Sequence, residues 1–324
     1  MSTIKVSFLW ENGFVKDTVF FHLFKKLSKK KIEITTFNKS DVVIFGPFDS
    51  DTIKRRFINF FLRKKIFNKF DINFPNIFMY SLKRKYQPLK IFYNAENVRH
   101  NFLPADFYIT PDMGVFDSSH FRFPSWKDYI DWSHEGIYRD NNVLNAKRFG
   151  FFWKQEDLLK PQNNFFLKKK RKFCIFAGHL KEPRRSMYLQ IQKHFQVDGF
   201  GPYFNKSIKN HNSSNFLTYE VMQDYAFNLC PQNSLFHGYY NESIVNSFLS
   251  KTLPVTWADH NIKVDFNPKA FVNLIDDVEN NYENICELLK DDSFLKDYAI
   301  EPILLKKIDL IKEKIFVERI LARL

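Results

Sequence analysis

The sequence predicts an α/β protein built on parallel sheets, and three stretches carry that prediction. Phe227 to Asp276 reads as strand, loop, helix, strand, loop, strand. Ile4 to Pro47 has a strand–helix–strand rhythm at the start of the chain. Phe173 to Ala177 (FCIFA) opens another such run after a polar, basic connection. Repeated units of this kind make doubly wound sheets. Their ligands sit at the carboxyl ends of strands, beside helix N-termini.

The elements follow from local pattern. Ile4 to Trp10 (IKVSFLW) is a buried strand. Asp17 to Leu27 is a helix with Val19, Phe20, Leu23 and Leu27 inward. Ile32, Ile34 and Phe37 alternate as a second strand, and DVVIFGP, Asp41 to Pro47, is a third. Thr52 to Pro88 is basic and aromatic without one clean period. It fits a membrane-surface helix or a solvated helix whose apolar face enters the core. Lys90 to Asn94 is a strand, with Ala95-Glu96-Asn97 at its carboxyl end. Asp106 to Ile109 is the next strand, and Trp126 to Trp153 is aromatic and mostly helical. The polar connection Asn163 to Lys172 sets the domain break, giving domains 1–155 and 156–324.

In the second half, Gly178 to Arg185 is a loop, and the helix after it turns Tyr188, Ile191 and Phe195 inward. Gly199-Phe200-Gly201 is a glycine turn. FNLC, Phe227 to Cys230, is a buried strand that Pro231 stops. Asn241 is an N-cap with Glu242 in the first helical turn, and Ile244, Val245, Phe248 and Leu249 form the apolar stripe. Leu253, Val255 and Trp257 alternate as a strand, and AFVNLI is another. From Ile303 the chain forms a terminal helix with Leu304, Ile308, Ile311 and Ile315 on one face, packing back on the body.

Composition narrows the classes. The 324 residues are 44% hydrophobic, enough for one large or two ordinary domains. No run of about 18 apolar residues exists, so no transmembrane helix is expected. MSTIKVSFLW lacks the shape of a signal peptide. Cys174, Cys230 and Cys286 are isolated, which argues against a zinc site or a disulfide scaffold. The expectation is a cytoplasmic protein. A net charge of +13 calls for an anionic partner. The abundance of Phe, Lys, Asn and Ile reads mainly as AT-rich coding, so Phe–Lys interleaving alone does not mark a nucleic-acid surface.

The pattern F-N-L-C, x-x-N, G-Y, x-x-E and D-F-N-P-K-x-F-V-N resembles glycosyltransferase family 10, the α1,3/4-fucosyltransferases, most closely the bacterial members. The resemblance implies a GT-B fold, two Rossmann-like domains facing a central cleft. The N-terminal domain would be acceptor-side and the C-terminal one donor-binding. It also implies inverting, metal-independent transfer of fucose from GDP-fucose, with no cofactor. Ala95-Glu96-Asn97 stands where the family has G-E-N, whose glutamate is the proposed general base; inversion needs a carboxylate to take the acceptor's proton. The family's arginine for the donor β-phosphate falls on Arg185. Gly199 and Gly201 match its glycine cluster, and Asn233, Tyr239, Glu242 and Ser243 fall in its donor loop. Trp10 and Asn97 fall on the acceptor side, where Trp10 reads equally as a buried turn residue. Two departures stand out: Gln232 replaces the family's glutamate, and Ser243 replaces a phosphate-binding lysine.

The expected partners are therefore a nucleotide-sugar donor and a glycan or glycolipid acceptor, with peripheral contact to anionic membrane at the inner face through the basic clusters. Three rivals stand: a relative using another nucleotide-deoxysugar, a pseudoenzyme with a degraded donor site, and a non-catalytic basic membrane- or nucleic-acid-binding protein. No nucleic-acid motif is present.

Overall fold

The computed structural model describes residues 2–9, 14–47, 88–204, 218–276 and 282–324. Trp10 and nearly all of the Thr52–Pro88 stretch lie outside them. The chain forms two compact units, one of residues 1–123 and 310–324, the other of 124–309.

Unit 1 is a six-stranded parallel sheet, in the order β2-β1-β3-β4-β5-β6. Its strands are β1 (Thr3–Phe8), β2 (Lys31–Ile34), β3 (Val42–Phe45), β4 (Leu89–Tyr93), β5 (Phe107–Thr110) and β6 (His120–Arg122). Val42 to Phe45 are all buried, as continuous apolar strands of a covered parallel sheet must be. β2 is the edge, and Ile34 there is exposed. Helix α1 (Val19–Leu27) starts where the Thr18 hydroxyl accepts the Phe21 N–H at 3.3 Å. It buries Val19, Phe20, Phe21, Leu23 and Phe24.

Unit 2 holds α2 (Leu144–Phe149), α3 (Gln155–Leu158), α4 (Arg184–Gln192), α5 (Thr218–Met222), α6 (Ser243–Leu249), α7 (Tyr282–Leu288) and α8 (Asp292–Ala299). Its five-stranded parallel sheet runs β11-β10-β9-β7-β8. The strands are β7 (Phe173–Phe176), β8 (Val197–Phe200), β9 (Phe227–Leu229), β10 (Leu253–Thr256) and β11 (Val272–Asn273). Phe173, Phe227, Ile191, Val255 and Leu274 share one buried cluster. From β7 the chain goes to β8 on one side and to β9 on the other. The gap between β7 and β9 is therefore a topological switch point, where the loops leaving both strands diverge and leave room for a ligand.

Three expectations change. The units divide at Phe123/Pro124 instead of 155/156. The aromatic residues of the intervening stretch pack within unit 2: the Tyr129 ring stacks on Trp153 at 4.9 Å, and Trp126 lies 5.0 Å from Phe266. That stretch is not mostly helical. It holds short 3-10 turns and the six-residue α2, because its aromatic anchors follow no helical period. The terminal helix α9 (Ile311–Leu321) belongs to unit 1, where it packs on α1. Its inward face is Phe316, Val317 and Ile320, while Ile311 and Ile315 are 56% and 53% exposed. The Phe316 ring lies 5.1 Å from Phe121 and 5.7 Å from Phe107, and those two rings set the helix phase.

Candidate functional site

Two groups of candidate residues are built, one in each unit. In unit 2 the site grows from the switch point. The loop after β7 carries His179 and leads into α4. The loop after β9 carries Gln232, Asn233 and Tyr239 and leads into α6. One guanidinium joins the two loops. Arg184 donates from Nη1 to Asn233 Oδ1 at 2.8 Å, and its Nη2 lies 3.0 Å from His179 Nδ1. Asn233 Nδ2 then donates to the Tyr239 hydroxyl at 3.1 Å. Arg184 is 7% exposed, and its Nε is buried without a hydrogen-bond partner. A buried cation with an unused donor is suited to an anionic ligand.

Arg185, the arginine expected here, is exposed and takes no part in this group. The helix turns Met187 and Ile191 into the core. Arg184 shares that face, three and seven positions before them, and Arg185 lies about 100° round the axis from it.

The departures Gln232 and Ser243 belong to one hydrogen-bonded turn. Gln232 is fully buried. Its Oε1 accepts the Asn241 N–H at 2.9 Å, and its Nε2 donates to Asn241 Oδ1 at 3.4 Å. Asn241 Oδ1 in turn accepts the Ser243 N–H at 3.0 Å and also the Ser243 hydroxyl. The expected capping role of Asn241 is thus real, although the helix cap position itself falls on Glu242. Ser243 is absorbed in the start of α6, where its carbonyl accepts from the Ser247 hydroxyl at 2.6 Å. His237 Nε2 lies 3.4 Å from the Asp259 carboxylate.

Glu242 is held by a residue that no sequence motif marked. Tyr129 is buried beneath it and hydrogen bonds to its carboxylate; burial first, then the Glu242 charge, pushes the phenol well above its usual range. Gly199 and Gly201 serve close packing. A Cβ on Gly199 would meet the Phe204 ring at 2.4 Å. Gly201 has φ +97°, and a Cβ there would meet the Ala177 carbonyl oxygen at 2.7 Å. The D-F-N-P-K segment is a clamp of the same kind. Asn267 donates to Glu301 and to the Pro302 carbonyl, both at 2.9 Å, and Asp265 accepts from the Trp126 indole at 3.4 Å.

In unit 1, Glu96 and Asn97 lie on the loop leaving β4, both half-buried. Asn94 is buried and ties the loop from within. Its Oδ1 accepts the Glu96 N–H at 2.8 Å, and its Nδ2 donates to the Glu96 carbonyl at 2.9 Å and to that of Val98. Among the described residues no group of three or more His, Cys, Asp and Glu side chains could hold a metal ion.

Comparison with known proteins gives this arrangement its relatives. The model for the glycosyltransferase family 10 (fucosyltransferase) C-terminal region matches residues 166–299. The model for the alpha-(1,3)-fucosyltransferase FucT N-terminal domain matches residues 62–129. The chain is 29% identical over 216 residues to the alpha-(1,3)-fucosyltransferase FucT of Helicobacter pylori, covering 62% of this chain and 43% of that protein. It therefore spans less than half the length of that relative. A crystal structure of an alpha1,3-fucosyltransferase with GDP-fucose superposes with a TM-score of 0.66 at 20% identity, over 99% of this chain and 91% of that one. A second, with GDP, gives 0.62 at 20% identity over the same shares. The fold is thus the GT-B fold that the resemblance implied. Matched by the two family models over more than half of its length, the chain belongs to glycosyltransferase family 10.

Proposed function

We propose that this chain transfers fucose from GDP-fucose to a hydroxyl of a glycan or glycolipid acceptor, with inversion and α1,3-type linkage. The observation that carries the reading is the Arg184–Asn233–Tyr239 group at the switch point of unit 2. A diphosphate leaving group gains negative charge as the glycosidic bond breaks, and a fixed, desolvated guanidinium stabilises that charge. In this reading the positive charge comes from side chains. Arg184 takes the phosphate role, and Glu242, steadied by Tyr129, faces donor hydroxyls. Gly199 and Gly201 give the backbone close approach, and Ser243 supplies only a neutral group. Glu96 is the general base: it takes the acceptor's proton as that oxygen attacks the anomeric carbon directly, so no covalent intermediate forms. Asn97 and Trp10 are assigned to the acceptor side.

A second reading keeps the reaction class and changes the donor. The Gln232–Asn241–Ser243 turn favours it, since that turn replaces charged groups with neutral ones. The site of action is proposed as the cytoplasmic side of the inner membrane, reached through the basic clusters; no helix among the described residues is long and apolar enough to cross a membrane.

The test is a donor panel (GDP-fucose, GDP-mannose, UDP-galactose, TDP-rhamnose) against oligosaccharides ending in galactose, glucose or N-acetylglucosamine, read by mass spectrometry. A mass gain of one deoxyhexose with GDP-fucose alone supports the first reading. Transfer from another donor supports the second. No transfer, with no thermal stabilisation by GDP, rejects both. With the acceptor so found, Glu96→Gln should lose roughly two to four orders of magnitude in kcat.

A further inference from the structure

Asp112 is 2% exposed, one of the most deeply buried carboxylates in the described chain. It follows β5, the strand that pairs with β4, so it stands at the same end of the sheet as the Glu96 loop. A buried carboxylate is stable only when donors satisfy it. The donors here come from two consecutive residues of that loop. Arg99 Nη1 donates to Oδ1 at 2.8 Å. The His100 backbone N–H donates to Oδ2 at 2.8 Å, and His100 Nδ1 lies 3.2 Å from the same oxygen. The second Arg99 nitrogen, Nη2, hydrogen bonds to Asn97 Oδ1.

We propose that Asp112 is a positioning residue for Glu96, acting through Arg99. The loop from Asn94 to His100 has an anchor at each end. Asn94 fixes the Glu96 backbone from the strand side. Asp112 fixes residues 99 and 100, and the Arg99 guanidinium carries that hold back to Asn97, the residue next to Glu96. Asp112 is held in turn from its own strand. Its N–H donates to Thr110 Oγ1 at 3.3 Å, and that hydroxyl lies 2.8 Å from His120 Nε2 on β6. Three adjacent strands thus fix one loop. A general base displaced by about 1 Å can lose on the order of 100-fold in rate, so the distant carboxylate governs turnover without touching substrate. The proposal rests on the reading of Glu96 as the base.

The experiment is a double-mutant cycle on the fucose-transfer reaction with GDP-fucose and the acceptor found by the panel. Asp112→Asn keeps an acceptor oxygen for the His100 N–H and removes the charge that holds Arg99. It should lower kcat by roughly 10- to 100-fold and leave the KM for GDP-fucose unchanged within about twofold. In the Glu96→Gln background the same change should cost less than about threefold, since the base through which it acts is already gone. Arg99→Gln, cutting the link from its more exposed side, should repeat both results if Asp112→Asn folds poorly. Equal losses in the two backgrounds, or no loss of kcat from either variant, would overturn the proposal while leaving Glu96 as the base. Near-native activity of Glu96→Gln alone would remove the base assignment, and this proposal with it.

Discussion

Arg184 and Asn233 hydrogen bond at 2.8 Å between the loops that leave β7 and β9, while Arg185, one residue on, faces solvent. Adjacent arginines therefore have separate fates. Hydrogen bonds to a charged group are worth about 1.5–3 kcal/mol. Arg184→Ala should accordingly weaken GDP binding by at least about tenfold and cut kcat/KM for GDP-fucose by more. Arg185→Ala should change either by less than about threefold. Calorimetric titration with GDP and steady-state kinetics check both; the reverse order would restore Arg185 to the phosphate.

Ser243 stands where the family places a lysine, and its hydroxyl is already committed to Asn241. If Arg184 suffices for the leaving group, Ser243→Ala should change kcat by less than about tenfold. Ser243→Lys should gain little, since Arg184 already serves the leaving group and the Ser243 N–H stays bonded to Asn241. A rise of about a hundredfold in kcat on adding the lysine would show a donor site that lacks its second cation.

Gly201→Ala places a Cβ at positive φ against the Ala177 carbonyl oxygen. The backbone there cannot yield without breaking the Tyr203 N–H bond to the same oxygen, at 3.2 Å. The cost should be about 2 kcal/mol. For a unit of this size that is a fall in Tm of roughly 4–8 °C by calorimetry. An unchanged Tm would mean the turn is softer than its geometry implies.

His120 is pushed down to about 4, by burial first and then by the neighbouring His100, against the opposite pull of Asp112 and Asp117. The unfolded chain takes up this proton near pH 6.5, and the folded chain near 4. Its contribution is therefore intact above about pH 6.5 and is lost as the pH falls to 4. Unfolding midpoints in urea should drop across that window. His120→Gln should flatten the drop while keeping a partner for Thr110. An unaltered pH slope in that variant would place the titration elsewhere.

Much of this was legible before the structure. Strands such as DVVIF and FCIF are short apolar runs whose burial in a parallel sheet leaves little choice. The burial of Arg184 was legible too: an inward set of Tyr188, Ile191 and Phe195 puts position 184 on the same face, at spacings of four, seven and eleven. The role of Tyr129 left no local trace, because its partner Glu242 is more than a hundred residues away. The same holds for Asp112, whose side-chain partners Arg99 and His100 lie on a different strand's loop. In α9 the apolar residues occupy two faces, and only the Phe107 and Phe121 rings decide which one turns in.

The return of α9 to unit 1 has a consequence for how the chain is made. Residues 310–324 complete a unit whose remaining residues are 1–123, so all of unit 2 is synthesised in between. At ~5–20 residues per second, that interval is roughly 10–40 s. Throughout it, the α1 surface and the Phe107 and Phe121 rings wait on the ribosome without the helix that will cover them. Within this chain, residues 1–123 are thus made before unit 2 and sealed after it.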